Sequence, residues 1–230
     1  MTKDQEQITA RTMSALIRLI EDRKYAPGER LPSERELAER FEVGRGVVRE
    51  VLSVLEGMRY LQRKRNSGIY LNERPERISL ETLTLFSNLN VSLSKQRLSE
   101  VMEARRILEV QAIMLAAVRR TDHDLKSIEK IIQNFDDAIE HGMEDVADLD
   151  YQFHMAIFQA AHNLVLTQLV TPFYLMSENR RVAFFNDQTR SRASNEQHRR
   201  ILAAIKAKDV EKARIAMSEH IGRVENHYGL

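Results

Sequence analysis

Apolar residues recur at helical spacing along most of the chain, and the pattern changes only once, into a strand-like alternation. In "QITARTMSALIRLIEDRKY" the positions Ile8, Met13, Leu16, Ile17, Leu19 and Ile20 form one stripe that ends before "APGERLP". Ser33 followed by Glu36 is a capping-box pattern, so a second helix starts in "SERELAERF" and buries Leu37, Ala38 and Phe41. After the tight break "EVG", the stretch "RGVVREVLSVLEGMRY" predicts a third helix with Val48, Val51, Leu52 and Leu55 inward. The alternation follows in "YLQRKRNSGIYL". Two short segments flank Asn66-Ser67-Gly68, a β-hairpin in which glycine supplies the permissive turn position. Two helices, a tight turn between them and a hairpin after them make a winged helix-turn-helix.

Everything after Ser79 carries the helical period. The expected helices are a short "ISLETLTLFSNLN", a long "LSEVMEARRILEVQAIMLAAVRR", then "DHDLKSIEKIIQNFDDAIEHG", "DLDYQFHMAIFQAAHN", "LVLTQLVTPFYLMSENRRVAFF", "SNEQHRRILAAIKA" and "VEKARIAMSEHIGRVENH". The fifth should be kinked or broken near Pro172. The expected fold is mainly α: an N-terminal winged helix-turn-helix over 1–72, a linker over 73–79 ("NERPERIS" is polar and carries a proline), and an all-α antiparallel bundle of six or seven helices over 80–230.

Composition adds limits. Of 230 residues, 43% are apolar and 30% charged, ordinary for a globular protein. The longest apolar runs are too short to span a bilayer, no secretory signal opens the chain, and no membrane partner is expected. The absence of cysteine excludes disulfides and thiolate metal sites and fits a reducing, cytoplasmic setting. A formal net charge of +1 names no partner, so any nucleic-acid surface must come from a local cluster.

Such a cluster exists. Between Gly44 and Gly68 stand Arg45, Arg49, Arg59, Arg63, Lys64 and Arg65 against only Glu50 and Glu56. Arg45, Gly46 and Arg49 fall beside the apolar face of the third helix, toward solvent. Phosphates attract such a cluster whatever the sequence, and arginines at a helix start can reach guanine edges. A solvated, salt-bridged helical face is the bland alternative for each arginine singly. In helix-turn-helix-wing order the six favour double-stranded DNA.

The stretch "GERLPSERELAERFEVGRGVVREVLSVLEGMRYLQRKRNSGIYL" resembles the winged helix of the GntR family of bacterial transcription regulators. The resemblance rests on L-P-S-E-R-E-L-A, on the R-x-x-V-R-E-x-L recognition helix and on the S-G-I-Y wing, with Gly57 to Leu61 matching a G-Y-L element loosely. It implies that Arg35, Arg45 and Arg49 contact bases or phosphates and that Gly68 sits at the wing tip in the minor groove. Gly46 departs from the family, which usually carries threonine, serine or proline there; a side-chain contact to the operator is thereby lost.

The last two helices place two histidines level with each other. The turn falls near Lys208 and Asp209, with His198 ten residues before Lys208 and His220 eleven after Asp209. At about 1.5 Å per residue both lie roughly 15–17 Å from the turn. Asp150 and His154, four apart on another helix, offer a same-face pair. Three imidazoles and one carboxylate could converge on one ion, zinc or else nickel, iron or manganese. Against this stands the ordinary reading, since a lone helical histidine is more often a satisfied polar residue than a ligand.

D-Y-Q-F-H, E-Q-H-R-R-I-L-A-A-I and A-R-I-A-M-S-E-H resemble the ligand-sensing helical domain of the FadR branch of GntR regulators, known as FCD, over roughly 98–227. That resemblance implies a divalent metal on Asp150, His154, His198 and His220. From "EARRILE" it implies that Arg105 pairs with an effector carboxylate, a guanidinium being a planar bidentate fork. A salt bridge from Arg105 to a neighbouring acid is the competing role. His162 and Asp148 match no ligand position, and His162 is expected at the surface or as a cap. His123, His141 and His227 have no constellation.

The function implied is a sequence-specific DNA-binding transcription regulator, acting as a homodimer on a palindromic operator and modulated by a small carboxylate. The residues leave the effector open, and repression versus activation too. One alternative is a metal-free regulator sensing a larger acyl ligand. A metalloenzyme is another, but it lacks a general base: Glu219 adjoins His220 yet should point about 100° away.

Overall fold

The computed structural model describes residues 3–89, 91, 93–142 and 145–229. The chain divides into two compact units, 1–93 and 94–230. In the first, α1 (Lys3–Arg23) packs on α2 (Glu34–Phe41) and α3 (Arg45–Gly57). Ser33 caps α2 through the reciprocal bonds expected: Glu36 N–H donates to Ser33 Oγ, and Ser33 N–H donates to Glu36 Oε2 at 2.7 Å. Glu42 takes a left-handed conformation, φ 54°, which makes the tight turn into α3. Leu16, Ile17, Leu37, Val51, Leu52 and Leu55 are fully or almost fully buried between these three helices.

The hairpin is β1 (Leu61–Lys64) antiparallel to β2 (Gly68–Leu71), with Lys64 opposite Gly68. Its loop is therefore Arg65-Asn66-Ser67. Asn66 adopts φ 57° and Gly68 φ 137°, the two positions where a turn this tight requires positive φ. One feature escaped the hydrophobic pattern. The "GERLP" stretch pairs along the far edge of β2, with Leu31 N–H donating to Ile69 O at 2.8 Å and Leu71 N–H to Glu29 O at 3.0 Å.

The first unit continues beyond the expected 73–79 linker. Residues Pro75–Arg77 form a 3-10 turn, and α4 (Glu81–Asn88) sets Phe86 edge-on to Tyr60 at 5.3 Å. Ser14 Oγ also donates to Leu89 O. With Val91 and Leu93, these contacts tie α4 and the described residues after it to the N-terminal core, and the division falls at Leu93 and Ser94.

The second unit contains seven helices among its described residues: α5 (Lys95–Arg119), α6 (Asp122–His141), α7 (Val146–Ala160), α8 (Leu164–Met176), α9 (Glu178–Phe185), α10 (Gln188–Lys206) and α11 (Val210–His227). α5 packs against α7, α8, α10 and α11, and α6 packs against α7 and α10. The expected break at Pro172 is not where the chain breaks. Pro172 lies buried inside α8, and the interruption comes at Ser177. Arg181 braces this junction: its Nη1 donates to Tyr174 O at 3.1 Å, which also accepts from Ser177 N–H, and its Nε donates to Ala147 O at 2.8 Å. α10 starts earlier than expected because Asp187 caps it, accepting from the N–H groups of Thr189 and Arg190.

Candidate functional site

The long spacing between His198 and His220 resolves into a helical hairpin. Lys208 takes φ 55°, Asp209 caps α11, and the two histidines come level on facing helices. α7 supplies Asp150 and His154 one turn apart. One donor atom from each of Asp150, His154, His198 and His220 lies within 4.8 Å of all the others, and all four residues are buried.

The imidazoles are oriented from outside the cluster. His154 Nδ1 donates to Glu109 Oε2 at 2.8 Å, and His220 Nδ1 donates to Gln197 Oε1 at 3.0 Å. Each ring therefore carries its proton on Nδ1 and turns the Nε2 lone pair inward. The two Nε2 atoms stand 3.2 Å apart. His198 stacks on Phe153 at 3.8 Å between centroids. Its Nε2 is 3.4 Å from Asp150 Oδ1, within ion-pair reach, but neither of its nitrogens makes a hydrogen bond of acceptable geometry. Inward lone pairs facing one another and a fully buried, unsatisfied imidazole are costly unless a cation sits among them. The separations of 3.2, 3.4 and 3.8 Å suit it, since donors about 2.0–2.2 Å from one zinc ion at tetrahedral angles are about 3.3 Å apart.

Electrostatics agree. Burial, with the neighbouring imidazoles, lowers the His220 basicity well below the ordinary value, and burial likewise lowers His198. Both are neutral and able to ligate. Burial pushes the Asp150 carboxyl up, but contact with His198 first, and with His154 and His220, brings it below the usual carboxylate range.

Glu109 on α5 is the residue the sequence reading missed. It is completely buried, and although burial raises its carboxyl, contacts with His154 and Arg105 hold it at about 2. It accepts from His154, from Arg105 Nε at 3.0 Å and from the Tyr174 hydroxyl. Arg105 also donates Nη2 to the Tyr174 oxygen at 2.8 Å and lies over that ring. Arg105 thus makes the salt bridge to a neighbouring acid that stood as its competing role, and it also lines the cavity that opens beside the cluster. This cavity, about 40 Å³ in volume, is bordered by Asp150, His154 and His220. His162 is half-exposed at φ 49° just past α7, with Nε2 3.0 Å from Asp124. Glu219 and His123 are exposed, as are His141 and His227.

In the first unit, Arg45, Gly46 and Arg49 lie exposed at the start of α3. Glu34 on α2 gathers Arg49 Nε at 2.7 Å, Arg45 at 3.8 Å and Arg63 of the hairpin at 4.0 Å. Arg35 pairs with Glu39 and stands well out in solvent. A side chain at Gly46 would meet open space, whereas one at Gly68 would touch the Arg30 guanidinium.

Residues 8–71 match the GntR family of bacterial regulatory proteins, and residues 100–223 match the FCD domain. The chain belongs to the GntR family. It is 32% identical to the HTH-type transcriptional regulator LutR of Bacillus subtilis, over 90% of this chain and 95% of that one. It is 31% identical to the Uxu operon transcriptional regulator of Escherichia coli, over 93% and 84%. A solved GntR structure from Streptococcus agalactiae, 30% identical, covers 95% of this chain and 99% of its own, with a TM-score of 0.50. This GntR-family chain is therefore a DNA-binding transcription regulator with an FCD ligand-binding domain. Among its described residues no helix is long and apolar enough to cross a membrane.

Proposed function

We propose that the regulator acts as a homodimer on a palindromic operator. In this reading Arg35, Arg45 and Arg49 read or grip DNA, and Gly68 lets the wing tip approach it. The second unit binds a divalent metal, zinc before nickel, iron or manganese, through Asp150, His154, His198 and His220. A small organic acid bound beside the metal, with Arg105 in its wall, modulates operator binding.

One observation carries the proposal: four buried donors converge, and three of them, Asp150, His154 and His220, border a cavity lined by arginine. A bound ion would supply a Lewis-acidic anchor for a carboxylate oxygen. The chain's own groups do the rest. Glu109 and Gln197 hold the rings in register, and the Arg105 guanidinium presents donors to the acid. The names of relatives favour this class of effector: one, 30% identical, is the galactonate operon transcriptional repressor of Escherichia coli. A larger acyl ligand without metal fits less well, because it would leave the buried Asp150 carboxylate and the inward imidazoles of the cluster without a cation. Catalysis is disfavoured, because Glu109 faces the outer nitrogen of His154 and Glu219 faces solvent.

A thermal-shift screen of organic acids, run with and without zinc on metal-stripped protein, tests the proposal. An acid should raise the melting temperature only when zinc is present, and the same acid should alter operator binding. Stabilisation by acyl compounds regardless of metal would overturn it.

A further inference from the structure

The cavity beside the cluster is lined by three arginines, Arg105, Arg180 and Arg181, and two of them are already engaged. Arg105 is paired with Glu109 and with the Tyr174 hydroxyl. Arg181 holds the carbonyls of Ala147 and Tyr174 and lies over the Tyr151 ring, 5.4 Å from its centroid. Arg180 differs. Its Nη2 is buried with no hydrogen-bond partner, and no carboxylate of the described residues pairs with it within 4.0 Å. Tyr228 donates its hydroxyl to the Arg180 backbone oxygen rather than engaging the guanidinium. Burial and repulsion from Arg105 lower the Arg180 basicity, though a guanidinium keeps its charge at neutral pH.

A half-buried guanidinium with one donor shielded from water and unpaired favours an incoming anion. Charge matching asks for more than one carboxylate. Glu109 neutralises Arg105, and Asp150 is the single carboxylate of the cluster. A divalent ion on that cluster together with Arg180 leaves positive charge that one carboxylate cannot balance. Between them the lining is apolar, with Met102, Phe184, Ile221 and Val224, which suits a short carbon chain.

We propose that Arg180 receives the second acidic group of a dicarboxylate effector whose first carboxylate is held at the Asp150/His154/His198/His220 cluster. The inference rests on reading the cavity as a metal-dependent acid site, and the test separates the two.

Zinc-loaded full-length protein is titrated calorimetrically with galactarate against galactonate and with glutarate against valerate. At least one diacid should bind more tightly than its matched monoacid, by roughly tenfold or more. Replacing the charge, Arg180→Gln, should weaken that diacid roughly 10–100-fold and largely abolish the preference, since a charge-assisted hydrogen bond contributes that much. Arg180→Lys should restore part of it, and unchanged melting temperatures show that both variants fold. Equal affinity for diacids and monoacids in the parent protein, or a preference that survives Arg180→Gln, overturns the dicarboxylate inference alone, provided Asp150→Ala abolishes binding of both acids. Binding of none of the four acids overturns the dicarboxylate inference and the acid-site reading together.

Discussion

At the scale of single residues, Glu109 sets the chemistry of the cluster without belonging to it. It fixes the His154 tautomer and shares the Arg105 guanidinium with Tyr174. Glu109→Gln should lower zinc affinity roughly 10–100-fold while leaving all four ligands present; competition against a fluorescent chelator measures this, and an unchanged affinity would remove Glu109 from the site. Gly68 is a second sensitive position. With φ 137° and Arg30 Nε 3.0 Å from where a Cβ would stand, Gly68→Ala should destabilise the first unit by about 1 kcal/mol or more, read from urea unfolding. Glu109 was hard to find in the sequence because nothing local marks it. It follows Arg105 by four residues on a helix whose next inward positions are Ala112, Ile113 and Ala116. Only the fold brings His154 to it from 45 residues away.

At the scale of elements, the recognition helix and hairpin were legible because their signals are local. A period of 3.6 buries Val48, Val51, Leu52 and Leu55, the Ser33–Glu36 box marks a helix start, and an alternating pair of segments surrounds Asn66 and Gly68. The brace at the end of α8 was not legible, since it depends on Arg181 reaching back to Tyr174 and across to Ala147. The metal hairpin was intermediate: counting residues from the turn set His198 and His220 level, while the inward turn of the His220 Nε2 came from Gln197, and that of the His154 Nε2 from Glu109. Arg45→Ala and Arg49→Ala should each abolish specific operator binding with the fold intact, measured by electrophoretic mobility shift and circular dichroism. Glu34 holds both arginines in the free protein and competes with phosphate for them. Glu34→Gln should therefore raise affinity for random duplex DNA and narrow the gap to the operator; a reduced affinity for random duplex would contradict this role.

At the scale of the molecule, the two units carry separate cores, one around Leu52 and Leu55, the other around Ile113, Phe153 and Tyr174. Only the second contains the cluster. Zinc at about 100 times its dissociation constant should add about 2.7 kcal/mol to that unit, a rise of roughly 5–10 °C in its melting transition. Differential scanning calorimetry of the full chain, with zinc and with a chelator, should show the second unit's transition moving while the first unit's stays. A uniform shift of both would mean that the ion acts elsewhere.

The hairpin is braced along one edge: β2 lies between β1 and the stretch just before α2. It is thus a blade set in a mount rather than a flap on two hinges. Its amide protons at Ile69 to Leu71 should be among the slowest to exchange in the first unit. Whatever the wing enters must then do most of the bending.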